Sequence, residues 1–190
     1  MPRTPEQYEE IRNEKKRLIM DAALELFAND GYHPTSISKI AEKANISKGL
    51  MYNYFSSKEL LLNEIIETGF HELVDLFDQN KDGILTEEEF IYFINTIFDV
   101  LNVKITYWRL FYSLLLQPSV FQIVGSKLSE WYGPLIKSLE NYFKKKNINN
   151  PQLEALMFGS LLDGVGFNYV MSPEMYPVEE VKKYLIEKYC

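Results

Sequence analysis

Cysteine is almost absent from the sequence: the chain of 190 residues has only one, Cys190, at its last position. An internal disulfide therefore cannot form, and no set of thiolates is available for zinc. Histidine is nearly as scarce, since His33 and His71 are the only two and lie in unrelated sequence contexts. No nucleophile has a recognisable base nearby, and no glycine-rich phosphate loop is present. We therefore expect the protein not to be an enzyme.

Long apolar runs are also missing at the start of the chain. The first twenty residues alternate charge and polarity and lack the apolar stretch of a signal peptide or a membrane span. We expect a protein that stays in the cytoplasm and has no membrane partner.

Positive charge is in deficit, because 20 Lys and Arg stand against 27 Asp and Glu, a net charge of -7. This balance argues against a nonspecific coat on nucleic acid, since lysine and arginine carry most of the affinity for phosphate. Residues 1–60 are neutral, with nine basic and nine acidic side chains, so the remainder carries the whole excess of negative charge. Any surface that binds DNA should therefore lie in the N-terminal third.

The two-residue alternation of strands is not found, whereas apolar residues recur at helical spacing along most of the chain. The predicted helices cover about 16–29, 36–43, 48–54, 57–77, 86–102, 104–116, 119–146, 151–171 and 177–189. We predict an all-α fold of about nine helices. Residues 1–57 would form a three-helix, helix-turn-helix DNA-binding domain, and residues 58–190 a helical regulatory and dimerisation domain.

Two short predicted helices joined by a tight turn occupy residues 35–54, a layout that places a helix in the major groove of DNA. Thr35 is the predicted N-cap of the first, Asn45 ends it in the left-handed conformation, and Ser47 caps the second. Lys48 supplies charge, and Asn53 has an amide that can pair with adenine. The alternative is a three-helix unit that only packs, because helix-turn-helix shapes also occur without DNA.

Other side chains of this region fit the same interpretation. Tyr52 and Tyr54 offer hydroxyl donors, Thr35 and Ser36 open a helix whose free N–H groups can meet a phosphate, and Gly49 permits close approach. Leu50 and Met51 could contact only a thymine methyl, and we expect one of the two to belong to the core.

The stretch TSISKIAEKANISKGLMYNYFSSKELL resembles the DNA-binding region of TetR-type regulators, and AALELFANDGYHPTS resembles the end of their first helix. The similarity covers about 45 contiguous residues, 21–65, and includes the ordered elements G-Y-x-x-T, I-A, S-K-G, Y-x-Y-F and S-K-E-L. It implies phosphate contacts by Thr35, Lys48, Tyr52, Tyr54 and Lys58, and Lys39, Gly49, Leu50 and Asn53 at or beside the bases. Two residues depart from the family pattern: Asn45 replaces a usual glycine, and Leu50 replaces a small hydroxyl residue, which puts base specificity in question.

The resemblance also implies a two-fold dimer on a palindromic operator, formed by the last two helices of each chain, and a small-molecule inducer held by the central helices. The small residues of the helix predicted at 151–171 would let a second helix approach, although an intramolecular contact would use them equally well. Large rings are frequent between residues 97 and 132 and are candidates either for the core or for a pocket. The candidate pocket residues are Tyr107, Trp108, Phe111, Tyr112 and Trp131.

Residues 78–89, DQNKDGILTEEE, match the spacing of a calcium loop of the EF-hand kind at every constrained position. The predicted calcium ligands are Asp78, Asn80, Asp82, the carbonyl of Ile84, Thr86 and Glu89. The same residues can serve without a metal, because Asp82 and Gly83 can end one helix while Thr86 and Glu89 cap the next. Calcium loops also normally occur in pairs, and no second copy is present.

The sequence therefore predicts a DNA-binding transcriptional regulator, a ligand-responsive repressor with calcium as its candidate cofactor. The alternative is a helical calcium sensor or interaction module that does not bind DNA.

Overall fold

The computed structural model describes residues 4–190, apart from the side chain of Ser129. The helices are α1 (Pro5–Asp30), α2 (Ile37–Lys43), α3 (Lys48–Tyr54), α4 (Lys58–Val74), α5 (Glu87–Val103), α6 (Ile105–Leu115), α7 (Pro118–Lys145), α8 (Pro151–Met171) and α9 (Val178–Tyr189), with a 3-10 turn at Pro173–Met175. No strand occurs within residues 4–190. The predicted all-α fold, with an N-terminal helix-turn-helix and about nine helices, is confirmed. None of these helices is long and apolar enough to cross a membrane, as far as the described chain extends.

The first helix begins eleven residues before the predicted start at residue 16. Thr4 is its N-cap and forms a reciprocal capping box with Gln7, with Pro5 at the first helical position. Apolar spacing could not show this extension because residues 4–10 are all exposed. The capping residues Thr4 and Gln7 were the sequence feature that indicated the start of α1.

The start of α2 also differs from the prediction by one residue. Its N-cap is Ser36 rather than Thr35, since the Ser36 hydroxyl accepts from the N–H of Lys39 at 3.2 Å. Thr35 is buried instead.

The described chain forms two compact units. The first, here called the N-terminal unit, contains the residues up to Thr68 together with Leu110–Gly125; the second, the C-terminal unit, contains Gly69–Arg109 and Ser126–Cys190. A functional boundary between residues 57 and 58 stays a prediction.

A single apolar core holds α1 to α4 together in the N-terminal unit. The side chains at its centre are almost completely buried: Ile19, Ala23, Phe27, Ile40, Met51, Leu61, Leu62 and Ile65. Because α2 and α3 are only seven residues each, this packing rather than helix propensity must keep them folded.

Aromatic rings dominate the core of the C-terminal unit. Phe90 of α5 stacks on Tyr142 of α7 with centroids 5.2 Å apart and ring planes 4° apart. The Phe158 ring of α8 meets the Tyr189 ring of α9 edge to face, at 4.9 Å. The Phe90 ring also lies 5.2 Å from the Phe158 ring, so that these contacts connect all four helices.

Candidate DNA interface

A tight turn between α2 and α3 fixes the direction of α3. Asn45 has a φ of 53° and therefore adopts the left-handed conformation predicted for it. The N–H of Ile46 donates to the carbonyl of Ala41 at 2.9 Å, and the Ser47 hydroxyl accepts from the N–H of Leu50 at 3.1 Å. The roles predicted for Asn45 and Ser47 in the turn are confirmed.

The α3 helix divides cleanly into a buried side and an exposed side. Met51 is 0% exposed, whereas Leu50 is 38% exposed, so Met51 is the core residue of this pair. The exposed side consists of Lys48, Gly49, Leu50, Tyr52 and Asn53, and Tyr54 is half-buried. A Cβ built on Gly49 would meet no atom within 4 Å, so nothing prevents close approach there. We call these five exposed residues the α3 face.

Some of the basic side chains near α3 form ion pairs with neighbouring carboxylates, and one forms none within the described chain. The ammonium of Lys39 lies 2.7 Å from a carboxylate oxygen of Asp30, and that of Lys43 lies 2.6 Å from one of Glu25. Lys48 is exposed and forms no ion pair with any residue that the structure describes. The α3 face therefore presents one lysine whose charge is available to a phosphate.

Two residues with predicted phosphate contacts brace the turn between α1 and α2. The Thr35 side chain is 0% exposed and its hydroxyl lies 2.9 Å from the Gly31 carbonyl and 3.3 Å from that of Leu26. The Lys58 ammonium donates to the carbonyls of Tyr32, His33 and Thr35 at 2.9, 3.2 and 2.9 Å.

Burial lowers the pKa of this Lys58 ammonium, and its nitrogen lies 4.5 Å from the centre of the Tyr32 ring. Sequence reasoning missed the bracing role because main-chain carbonyls leave no mark in a sequence. Phosphate contacts by Thr35 and Lys58 stay predictions.

A second brace of the same turn, Gln117, was also missed. Its amide nitrogen donates to the carbonyl of Phe27 at 2.8 Å, and its amide oxygen accepts from the N–H of Tyr32 at 3.2 Å. The sequence marked Gln117 and Pro118 only as a break between helices, and no signal connected them with residues 85 to 90 positions away.

Side-chain oxygens of the acidic loop at residues 78–89 accept hydrogen bonds from N–H groups of the same loop. The Asp78 carboxylate accepts from the N–H groups of Asp82 at 3.1 Å and Gly83 at 2.8 Å, and Asp82 accepts from Ile84 at 2.8 Å. Asn80 accepts from the same Asp82 N–H at 2.9 Å. Gly83, with a φ of 77°, makes the sharp turn expected at the sixth position of a calcium loop.

Glu89, the predicted last ligand, forms part of the N-terminal cap of α5. One of its oxygens accepts from the N–H and the hydroxyl of Thr86 at 3.0 and 2.9 Å, and the Thr86 hydroxyl accepts from the Glu89 N–H at 3.2 Å. This capping box is the arrangement that needs no metal. Within residues 4–190, no three or more Asp, Glu, His or Cys side chains are grouped so as to hold a metal ion.

The candidate pocket residues differ in burial. Trp108 and Phe111 are buried, whereas Tyr107, Tyr112 and Trp131 are half-buried. In the C-terminal unit, the Trp131 ring lies 6.3 Å from that of Phe70. Arg109, whose charge could have paired with an anionic ligand, donates through Nε to the carbonyl of Val170 near the end of α8 at 2.9 Å. An inducer pocket at these rings stays a prediction.

Comparison with known proteins bears directly on the helix-turn-helix. Residues 19–65 match the model of the family described as bacterial regulatory proteins, tetR family. The fatty acid metabolism regulator protein of Bacillus subtilis is 26% identical over 176 residues, which cover 89% of this chain and 90% of that protein. IcaR of Staphylococcus aureus, the negative regulator of the biofilm operon icaADBC, is 25% identical over 136 residues, 70% of this chain and 72% of that one.

Solved structures agree on the fold. FadR from Bacillus subtilis, determined in complex with stearoyl-CoA, superposes with a TM-score of 0.68 at 23% identity and covers 90% of this chain and 95% of its own. A transcriptional regulator from Aquifex aeolicus superposes with a TM-score of 0.62 at 29% identity, over 92% and 96% of the two chains. The similarity therefore extends well beyond the 47 residues of the family match.

Proposed function

We propose that the chain is a ligand-responsive repressor of the TetR family that binds a palindromic operator as a homodimer. The match at residues 19–65 and the regulators that align over most of the chain support this proposal. The observation that carries the proposal is the α3 face, which presents Lys48, Tyr52 and Asn53 around an open Gly49. An exposed helix with one free cation and one amide suits a phosphate contact beside a base contact.

Support for a homodimer comes from α8. Leu153, Leu156 and Met157 are each more than half exposed, and a Cβ on Gly164 would meet nothing within 4 Å. Apolar side chains beside an open glycine suit close packing against a second helix. A two-fold pair of chains would then carry two α3 helices to two half-sites.

The operator test is a selection of bound sequences from random DNA by the full-length protein. We expect a palindromic consensus, and Lys48→Ala should weaken binding to all sequences alike. It should also reduce the salt dependence of log K by about two units, one for each half-site of the dimer. Asn53→Ala should instead relax the preference at one position in each half-site. Absence of any enriched sequence, with no binding at low salt, would support the alternative of a module that does not bind DNA.

The relatives suggest the chemical class of the effector. One is named as a fatty acid metabolism regulator, and another was crystallised with stearoyl-CoA. We infer a long-chain acyl-CoA as the first effector to test. Gel-shift titrations should show release of operator by stearoyl-CoA but not by coenzyme A alone, and equal operator binding with both would reject this class.

Calcium binding by the loop at residues 78–89 is a second proposal, supported by the full motif and by the turn at Gly83. Binding would require Glu89 to leave the Thr86 cap, because a calcium loop uses this glutamate as a bidentate ligand. The two arrangements of Glu89 are therefore mutually exclusive. A bound calcium ion would have either a structural or a regulatory role.

Calorimetry decides between them. Calcium should give a saturable heat with the wild-type protein and with Glu88→Gln, but not with Glu89→Gln. Glu88 is the matched control because its carboxylate is exposed in the same loop and is not one of the predicted ligands. Equal and negligible heats in all three proteins would sink the calcium proposal and leave the capping box as the whole role of Glu89.

A further inference from the structure

Two residues, Leu116 and Gln117, join α6 to α7, and the main chain of Gln117 forms hydrogen bonds with both helices. Its N–H donates to the carbonyl of Leu114 in the last turn of α6 at 3.1 Å. Its carbonyl accepts from the N–H groups of Val120 and Phe121 in the first turn of α7 at 3.0 and 3.1 Å. Any displacement of this junction must therefore carry Gln117 with it.

The side chain of Gln117 forms hydrogen bonds at the C-terminal end of α1. Its amide donates to the Phe27 carbonyl and accepts from the Tyr32 N–H, at 2.8 and 3.2 Å. The Phe27 carbonyl also accepts from the Gly31 N–H at 3.1 Å, the bond that ends α1. Gln117 thus bonds on both sides of the point where α1 ends, because its side-chain amide offers a donor on nitrogen and an acceptor on oxygen.

From Tyr32 the chain leads directly to the helix-turn-helix. Three residues later the Thr35 hydroxyl is bonded to Gly31, and Ser36 then caps α2. The Lys58 ammonium joins the carbonyls of Tyr32 and Thr35 across this turn. Because these bonds hold the turn as one piece, a shift at Tyr32 moves the start of α2 and, through the Asn45 turn, α3.

We propose that Gln117 is a positioning residue that fixes the α3 face relative to the α6–α7 junction and so sets the half-site spacing that the protein accepts. The proposal rests on the proposed dimeric operator binding. α6 begins in the C-terminal unit and α7 ends in it, and the same unit contains α8 with its exposed apolar residues. The spacing of two α3 helices in a dimer therefore depends on how firmly this junction holds the end of α1.

The experiment compares binding to the selected operator with binding to the same operator carrying one extra base pair at its centre. The insertion rotates the half-sites by about 34° and separates them by about 3.4 Å, which a rigidly held pair of α3 helices cannot follow. We expect wild-type affinity to fall by about tenfold or more on insertion. Gln117→Met, which keeps the side-chain length but removes both hydrogen bonds, should reduce that ratio to about threefold or less.

Gln122→Met is the matched control, because Gln122 is exposed one turn along α7 and should keep the wild-type ratio. A Gln117→Met protein that loses affinity equally for both operators would show a purely structural role, and an unchanged ratio would show no role; both overturn the proposal. If Gln117→Met does not fold, Gln117→Glu gives the same reading, because it keeps the acceptor for Tyr32 but loses the donor to Phe27. Failure of the wild-type protein to bind any operator would instead reject the proposed function.

Discussion

The ammonium of Lys58 has three main-chain carbonyl oxygens within hydrogen-bond distance and is partly buried against the Tyr32 ring. A lysine ammonium has three N–H donors, and these three carbonyls can accept from all of them, so none is left over for a phosphate. The lysine of the family pattern S-K-E-L, Lys58, thus stabilises the turn before α2 in this protein. A hydrogen bond from the same side chain to DNA would therefore have to replace one of these three bonds.

Replacing Lys58 by methionine should lower the free energy of unfolding by about 1–2 kcal/mol, because three carbonyls lose a charged donor in a site that is only partly screened by water. Urea denaturation of the variant and the wild type measures this difference. Lys48→Met is the matched control and should change stability by less than about 0.5 kcal/mol, since its side chain is exposed and unpaired within the described chain. Unchanged stability of Lys58→Met, together with a shallower salt dependence of DNA binding, would show that phosphate contact is the main role of Lys58.

At the scale of elements, the ends of the short helices decide how α3 is presented. Asn45 lies in the left-handed region at the end of α2, where the family usually has glycine and where most side chains are strained. Asparagine tolerates this conformation better than other residues with a side chain, so the departure from the family is accommodated without a change in the turn.

Asn45→Gly should therefore leave stability unchanged within about 0.5 kcal/mol, whereas Asn45→Ala should cost about 1 kcal/mol because alanine gains nothing to offset the left-handed strain. Thermal unfolding of both variants tests the pair. Ala44→Gly, one residue earlier at a right-handed φ of -78°, is the control and should destabilise, the opposite order of preference. Equal melting temperatures for Asn45→Gly and Asn45→Ala would show that the turn does not impose its conformation on this residue.

The elements that sequence reasoning located are those specified by their own neighbours. Asn45 and Ser47 could be placed because a left-handed stop and an N-cap are local features, and Met51 because one of two adjacent apolar residues must face the core. The bracing by Lys58 and Gln117 could not be found, since their partners are main-chain groups far away in sequence. The acidic loop is intermediate: its residues predict both a metal site and a capping box, and side-chain geometry was needed to show that Glu89 caps.

At the scale of the whole molecule, the charge distribution limits what one chain can achieve on DNA. The net charge of -7 lies entirely outside residues 1–60, so the rest of the protein opposes the approach to phosphate. The α3 helix is only seven residues long, so it can reach few base pairs. It presents a single lysine, Lys48, that is free of ion pairs within the described chain. Under the proposed function, specific affinity comes from a second α3 on a second half-site, so that DNA binding depends on the assembly of two chains.

Introducing a charge into the exposed apolar side of α8 tests this condition. Leu156 is 51% exposed in the single chain, and Leu156→Glu should leave that chain folded but place a carboxylate where a partner helix would bury it. Sedimentation should then give the monomer mass of 22.3 kDa, whereas the wild-type protein should give twice that value. Operator affinity should fall by about 100-fold or more, because the second half-site is no longer bound by a linked partner. Thr106→Glu, an exposed site on α6, is the control and should stay dimeric; a Leu156→Glu protein that also stays dimeric, with full affinity, would place the dimer surface elsewhere.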